Sequence, residues 1–151
     1  MIKFENRFDA YAYREATKVL SSGIIASGFE EGQWITLDAD GQIVLSDGGK
    51  KSFIVTTSKR EGRDLVSTNA VQKGTFLLGA YEITVQNNPN SATDTAFDST
   101  ATYAVMDPLK VTTGGILTSW VSGTDTVDQI AAYVAAPAVA GSGLLRIIVT
   151  A

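Results

Sequence analysis

The chain has 151 residues and a mass of 16.0 kDa, is 44% hydrophobic and 19% charged, carries a formal net charge of −4, and contains neither histidine nor cysteine. These totals fit one domain that buries ~70% of its unfolded surface, so folding requires neither a disulfide nor a metal. They exclude Ser-His-Asp and Cys-His nucleophiles, an imidazole base, and thiolate or imidazole zinc ligands, and the acidic balance argues against nonspecific nucleic-acid binding, which wants a basic surface.

Lys3, Glu5 and Arg7 stand where an export signal needs an apolar run. No stretch approaches 18 apolar residues. The expectation is a chain made in the cytoplasm, without a membrane span. Residues 1–22 read as an N-terminal arm holding Phe4, Phe8, Tyr11 and Tyr13. Phe4, Phe8, Tyr11 and Glu15 fall at helical spacing, but the stripe ends in a charge and lacks a cap. A short helix and an extended arm packed on a neighbour both fit.

From residue 23 the signals are those of strands, and 23–151 reads as a single β domain. Trp34–Leu37 and Ile43–Leu45 flank Asp38-Ala39-Asp40-Gly41, a hairpin signal. Ser52–Thr57 is the next strand. A charged loop with Lys59, Arg60 and Arg63 follows, and Leu65–Val71 is ambiguous. Thr75–Gln86 is the longest strand candidate, with Gly79 as a bulge or bend. Residues 87–102 are the most polar stretch and read as a long exposed loop. Tyr103–Met106 resumes a strand that Asp107-Pro108 breaks. Leu109–Thr112, Gly114-Gly115 and Ile116–Thr118 form a strand-turn-strand unit. The Ala-rich run 126–136 is helix or strand by itself, but Pro137, Gly141-Ser142-Gly143 and the strand Leu144–Thr150 make it one arm of a hairpin. Short strands at hairpin spacing and no long helix predict an all-β fold, a small antiparallel β-barrel or sandwich.

Candidate chemistry is sparse. Asp38, Asp40 and Asp47 fall near calcium-loop spacing, but Thr36 occupies the first position and both flanks read as strands; a hairpin turn explains them better. No metal site or cofactor is expected. Sixteen acids keep a carboxylate-pair hydrolase open by residue type, yet none stands out. Glu82, between Tyr81 and Ile83, reads as an outward-facing strand residue. Lys59, Arg60 and Arg63, with Lys50 and Lys51 upstream, form a solvated patch or an ion-pairing surface for a neighbouring subunit. No aromatic interleaves them for base stacking. Trp34 and Trp120 fit core packing, a sugar platform or an interface anchor. No phosphate-cradling glycine loop precedes a helix.

The segment Gly32-Gln-Trp-Ile-Thr-Leu-Asp-Ala-Asp-Gly-Gln-Ile-Val-Leu45 resembles the hairpin near the start of small capsid decoration, or cement, proteins of tailed bacteriophages. The closing Ala-rich strand, Gly-Ser-Gly and Leu-Leu-Arg-Ile-Ile-Val are similar to the end of such domains. The resemblance spans about residues 23–57 and 103–151 and leaves 87–102 unmatched. It implies a β-tulip-like or small barrel domain on the outside of an expanded capsid. There it would act as a homotrimer that bridges major capsid protein subunits, and its location would be the virion. The arm would lie on the shell with Phe4, Phe8, Tyr11 and Tyr13 as anchors. Trp34, Trp120, Lys59, Arg60 and Arg63 are further interface candidates. The alternative is a carbohydrate-binding or adhesin module built on Trp34, Trp120 and loop 87–102. An enzyme is not expected.

Overall fold

The structure, a computed structural model, describes residues 2–6, 13–23, 32–49, 51–55 and 73–150. Among them are the strands β1 (Ile2–Asn6), β2 (Tyr13–Val19), β3 (Trp34–Leu37), β4 (Ile43–Leu45), β5 (Phe53–Ile54), β6 (Lys73–Gly79), β7 (Tyr81–Gln86), β8 (Pro108–Thr112), β9 (Ile116–Ser119), β10 (Ile130–Val134) and β11 (Leu144–Val149), with a 3-10 turn at Val127–Gln129. One sheet has the order β1-β7-β11-β10-β8-β9, a second is β2-β6, and a third is β4-β3-β5. The strand ladders are antiparallel, so the protein is all-β. No continuous ladder closes the sheets into a barrel among the described residues.

Side chains alternate across a strand, so a strand between two cores buries consecutive residues. β3, β5 and β6 do this. Trp34, Ile54 and Leu77 join the larger core with Tyr81, Ile83, Leu109, Leu117, Val134 and Ile147. Their chain neighbours Ile35, Val55 and Phe76 face a second, smaller core with Leu20 and Ile43. Single bridges, Leu20 to Ile43 and Val55 to Phe76, join the two small sheets on either side of that second core. Each fully buried large apolar side chain contributes about 1.5–3 kcal/mol. The wall strands therefore stabilise both cores at once.

The wall is tied to the large sheet through backbone. Trp34 N–H donates to Gly115 O (2.8 Å), Ser46 N–H to Trp34 O (3.0 Å) and Gly115 N–H to Ser46 O (3.0 Å). This closed set links β3, the end of β4 and the β8–β9 turn. Gly115 has φ +74°, and a Cβ there would sit 2.3 Å from Trp34 O. Gly48 meets the same demand, with Val111 O 2.1 Å from where its Cβ would be. Glycine is needed at both because the two backbones touch.

The Trp34–Leu45 hairpin forms as the sequence predicts. Asp38 Oδ1 accepts the N–H groups of Asp40 (3.0 Å) and Gln42 (2.8 Å), and Asp47 Oδ1 accepts from Gly49 (2.9 Å). These carboxylates shape turns. The long strand expected over Thr75–Gln86 bends at Gly79 (φ 102°) and changes sheets: β6 pairs with β2, and β7 with β1 and β11. Strands that turn sheet corners commonly use such a bend.

One of two alternatives is decided and one expectation is corrected. The arm over residues 1–22 is, where described, part of the sheets. Ile2–Asn6 pairs with β7 and Tyr13–Val19 with β6, so both segments are extended and neither is the short helix that the aromatic spacing allowed. Tyr103–Met106 is not a strand. Tyr103 makes one bridge, to Ala138, and the chain then turns, with β8 starting at Pro108. Proline is tolerated as the first residue of a strand.

Gly41 and Gly115 share φ +74°, but a Cβ at Gly41 meets nothing within 4 Å. Gly41→Ala is expected to cost about 1 kcal/mol, the left-handed backbone penalty alone. Gly115→Ala is expected to cost about 3 kcal/mol, because overpacking adds to the same penalty. Urea unfolding of the two variants measures the difference, and equal losses would refute the backbone junction.

Candidate functional site

In the six-stranded sheet β7, β9 and β10 end where β8 and β11 begin, as the registers Leu144 with Gln86, Pro108 with Tyr133 and Leu109 with Ser119 show. The segments 87–107 and 135–143 therefore lie at one end of the sheet, and 120–129 leaves from that end and runs back to the opposite one, where β10 begins. Five of the six exposed large apolar side chains of the described residues, Val105, Met106, Val121, Val139 and Leu144, stand near the first of these ends; the sixth, Val127, is the most exposed and lies in the 3-10 turn that leads into β10.

Segment 87–102 is folded tightly around one side chain. Asn87 Oδ1 accepts the N–H groups of Thr95 (3.1 Å), Ala96 (2.8 Å) and Phe97 (3.1 Å). Its Nδ2 donates to Asp94 Oδ1 and Phe97 O, both at 3.0 Å. Asp94 in turn accepts from Ser99 N–H and Oγ, both at 2.8 Å. These bonds carry Thr95, Ala96 and Phe97 inward, where all three are buried. Ala96 O and Asp98 N–H then pair with Leu117, covering the outer edge of β9. The polar loop expected at 87–102 keeps Pro89, Asn90, Ala92 and Thr93 exposed, while residues 96–98 cap a sheet edge and Phe97 is core, in edge contact with Tyr103 at 6.2 Å. Its polar composition is spent on backbone N–H groups that a strand ladder would otherwise satisfy.

Beyond the cap, Tyr103–Asp107 runs beside Val134–Ala138. Tyr103 and Ala138 exchange hydrogen bonds (2.8 and 3.0 Å), and Met106 N–H donates to Val134 O (2.8 Å). Asp107 closes a turn, accepting from Ala104 N–H at 2.7 Å and donating its own N–H to Ala104 O at 3.1 Å. Val105 and Met106 form its tip, 52% and 57% exposed. Met106 has φ 67°, the one positive value outside glycine among the described residues. An apolar residue in that region costs about 1–2 kcal/mol. Trp120 N–H donates to Pro108 O (3.0 Å), which sets exposed Val121 next to this turn. Exposed Val139 and Leu144 flank the β10–β11 connection.

The charges at this end are held in place. Asp125 accepts from Lys110 Nζ (2.5 Å) and Val121 N–H (2.7 Å). The Lys110 bond, followed by the Val121 bond, holds its carboxyl below the usual range. The Thr100 hydroxyl and then the Thr100 N–H do the same for Asp98. Burial raises the Tyr103 phenol, with the Asp98 and Asp94 charges adding to it. Its Oη donates to Asp98 O at 2.6 Å.

Four of the interface candidates read from the sequence, Phe4, Tyr13, Trp34 and Trp120, fall within the described residues. Phe8, Tyr11, Lys59, Arg60 and Arg63 lie outside the described residues. Phe4 is opposite Ile83 in β1, and Tyr13 opposite Gly79 in β2. Trp34 is fully buried, with no hydrogen-bond acceptor for its Nε1–H among the described residues. Trp120 is half-buried, and its Nε1–H donates to Thr126 O at 2.9 Å. The two indoles do not form a platform. Glu82 does not face solvent. It is buried, with Arg146 Nε 2.5 Å from its Oε1, an ion pair rather than an aligned hydrogen bond. Alternation does put Glu82 on the face opposite Ile83, but Arg146 on β11 lies one diagonal step away and draws it in. Sequence reasoning missed Val105, Met106, Val121, Val139 and Leu144 as a group. The Asp-Pro step after Val105-Met106 was the available turn signal.

Asn87→Ala removes the hub of the cap and is expected to cost about 3 kcal/mol in urea unfolding, since several backbone donors lose their acceptor. A loss below about 0.5 kcal/mol, the range of an ordinary surface change, would refute the hub. Asp98 and Asp125 have lowered folded values, so their contribution is present above the unfolded carboxylate pKa of about 3.9 and is lost as pH falls through the folded values. Tm is therefore expected to hold down to about pH 4 and then drop. Asp125→Asn should flatten part of that drop, and an unchanged acid limb in this variant would count against the assignment. Set against family models, curated proteins and solved structures, the chain matches none.

Proposed function

We propose that this chain is a structural, non-enzymatic protein that binds the outer surface of an assembled tailed-phage capsid and bridges neighbouring major capsid protein subunits, as a homotrimer. The observation that carries the binding role is the grouping of Val105, Met106, Val121, Val139 and Leu144 at one end of a rigid sheet. Single exposed apolar residues are ordinary, whereas a shared apolar surface is characteristic of an interaction site. The capsid as the surface bound comes from the resemblance of Gly32–Leu45 and the closing strand to decoration proteins, with which the all-β fold agrees.

The fold supports a passive role in a second way. Seven of its described acidic side chains hold turns (Asp38, Asp47, Asp107), a loop (Asp94, Asp98) or a cation (Glu82, Asp125). Carboxylates spent on the scaffold are poorly placed to move protons for a substrate. The sheet pairing of Ile2–Asn6 and Tyr13–Val19 moves the weight of docking from the N-terminal arm toward the loop end. The adhesin alternative has less to support it, because Trp34 is core and the Trp120 indole N–H is bound to Thr126 O, which leaves only the exposed tip of the polar loop as its motivation.

Co-sedimentation with expanded heads lacking this protein tests the reading. Saturable binding in a whole-number ratio to the major capsid protein, with raised thermal stability of the heads, is expected. Failure to bind would overturn the decoration role.

A further inference from the structure

The loop end of the six-stranded sheet has a charge pattern as well as an apolar centre. Between Asn87 and Thr150 the chain carries five aspartates and two cations, Lys110 and Arg146. Both cations are already committed, Lys110 to Asp125 and Arg146 to Glu82. Asp125 is neutralised by Lys110 and Asp128 lies before β10, while Asp94, Asp98 and Asp107 at this end have no cation partner among the described residues. The charge around the apolar residues is therefore mainly negative, with Lys3 of β1, opposite Thr84, the remaining cation of the sheet's strands. Asp107 binds the turn that displays Val105 and Met106, and Asp125 binds the N–H of Val121. Asp94 binds Asn87, whose N–H donates to Gly143 O beside Leu144.

Met106 adds a second, independent mark. A tight turn is ordinarily given glycine or asparagine where φ is positive. Here a large apolar side chain is held there at φ 67° and 57% exposed. The strain lowers the stability of the free protein and gains nothing inside it, since the side chain points away from both cores. Strain of this kind is associated with ligand clamps and binding sites.

We propose that this end docks onto a protein surface that is apolar at its centre and fringed by lysine or arginine. Charge complementarity selects that occupant. A second copy would bring the same aspartates against themselves, and like charges juxtaposed across an interface are penalised. Five exposed apolar side chains fall well short of the roughly 20–30 residues per side of a stable pairwise interface. Docking through this end is therefore weak for one copy and becomes firm when several copies bind one array. The proposal supplies the face and the partner chemistry for the decoration reading, and rests on that reading only for where the partner comes from.

The test needs no capsid, so its failure is distinguishable from failure of the decoration role. The full chain, labelled with ¹⁵N, is titrated with a synthetic peptide of alternating leucine and lysine, and separately with a matched leucine–glutamate peptide. The expected result is chemical-shift change confined to residues 104–107, 121 and 139–144 with the lysine peptide, weakening as salt rises, and no saturable change with the glutamate peptide. Met106→Asn is expected to raise Tm, because asparagine accepts positive φ, while weakening lysine-peptide binding roughly tenfold. A merely structural role for Met106 would not move the two readouts in opposite directions. Equal response to both peptides, changes elsewhere on the molecule, or no binding would overturn the proposal. So would a sedimentation mass above 16.0 kDa that Met106→Asn returns to the monomer, which would make the occupant a second copy.

Discussion

β3, β5 and β6 are buried on both faces, and most of the architecture follows from that condition. Successive residues in each, Trp34-Ile35, Phe53-Ile54 and Phe76-Leu77, divide between two hydrophobic cores. A one-residue slip in any of them would exchange the two sets and misfill both cores, because side-chain direction has a period of two. Register is thereby fixed twice over. The backbone triangle of Trp34, Ser46 and Gly115 then fixes how the wall meets the large sheet. That junction works only because glycine lets the β8–β9 turn come within touching distance of β3. The stability of the larger core and the placement of the loop end thus depend on a few atoms of main chain.

The second theme is the use of polar side chains as surrogate backbone. A sheet edge left open invites pairing with another chain. β9 is such an edge, and residues 96–98 cover it with strand-like hydrogen bonds. That covering segment is itself held by Asn87 and Asp94, which satisfy five N–H and hydroxyl donors between them in addition to each other. At the other edge, β1 carries a bulge between Phe4 and Asn6, a device that disfavours further strand addition. Both edges of the six-stranded sheet are managed in this way, which disfavours strand addition there.

The side-chain surfaces are unequal. The Asp38–Gly41 and Thr112–Gly115 turns display no exposed large apolar side chain, whereas the loop end combines apolar exposure, a strained turn tip and a mainly negative fringe. A rigid sheet below it means that docking there costs little ordering entropy, because the loops are already fixed by Asn87, Asp107 and Asp125. A structural protein that must bind many equivalent positions gains from that arrangement: modest contacts per copy, made by a surface that does not have to fold on arrival.

Composition and alternation alone determined that this chain is all-β, that it dispenses with imidazole and thiolate chemistry, and that hairpins lie at Trp34–Leu45 and across Gly114-Gly115. Those features are local, set by side-chain period and turn residues within a few positions. The bend at Gly79 was legible for the same reason, but the change of sheet there was not, because pairing partners are distant in sequence. Tertiary structure decided the rest. The polar run 87–102 reads as exposed along its whole length until Asn87 is seen gathering the N–H groups of three buried residues. Glu82 reads as a surface residue until Arg146 stands diagonally across from it on β11. Phe97 and Trp34 became core, and Val105 and Met106 became surface, because burial depends on which strands come to lie alongside, and periodicity in one segment carries no information about that.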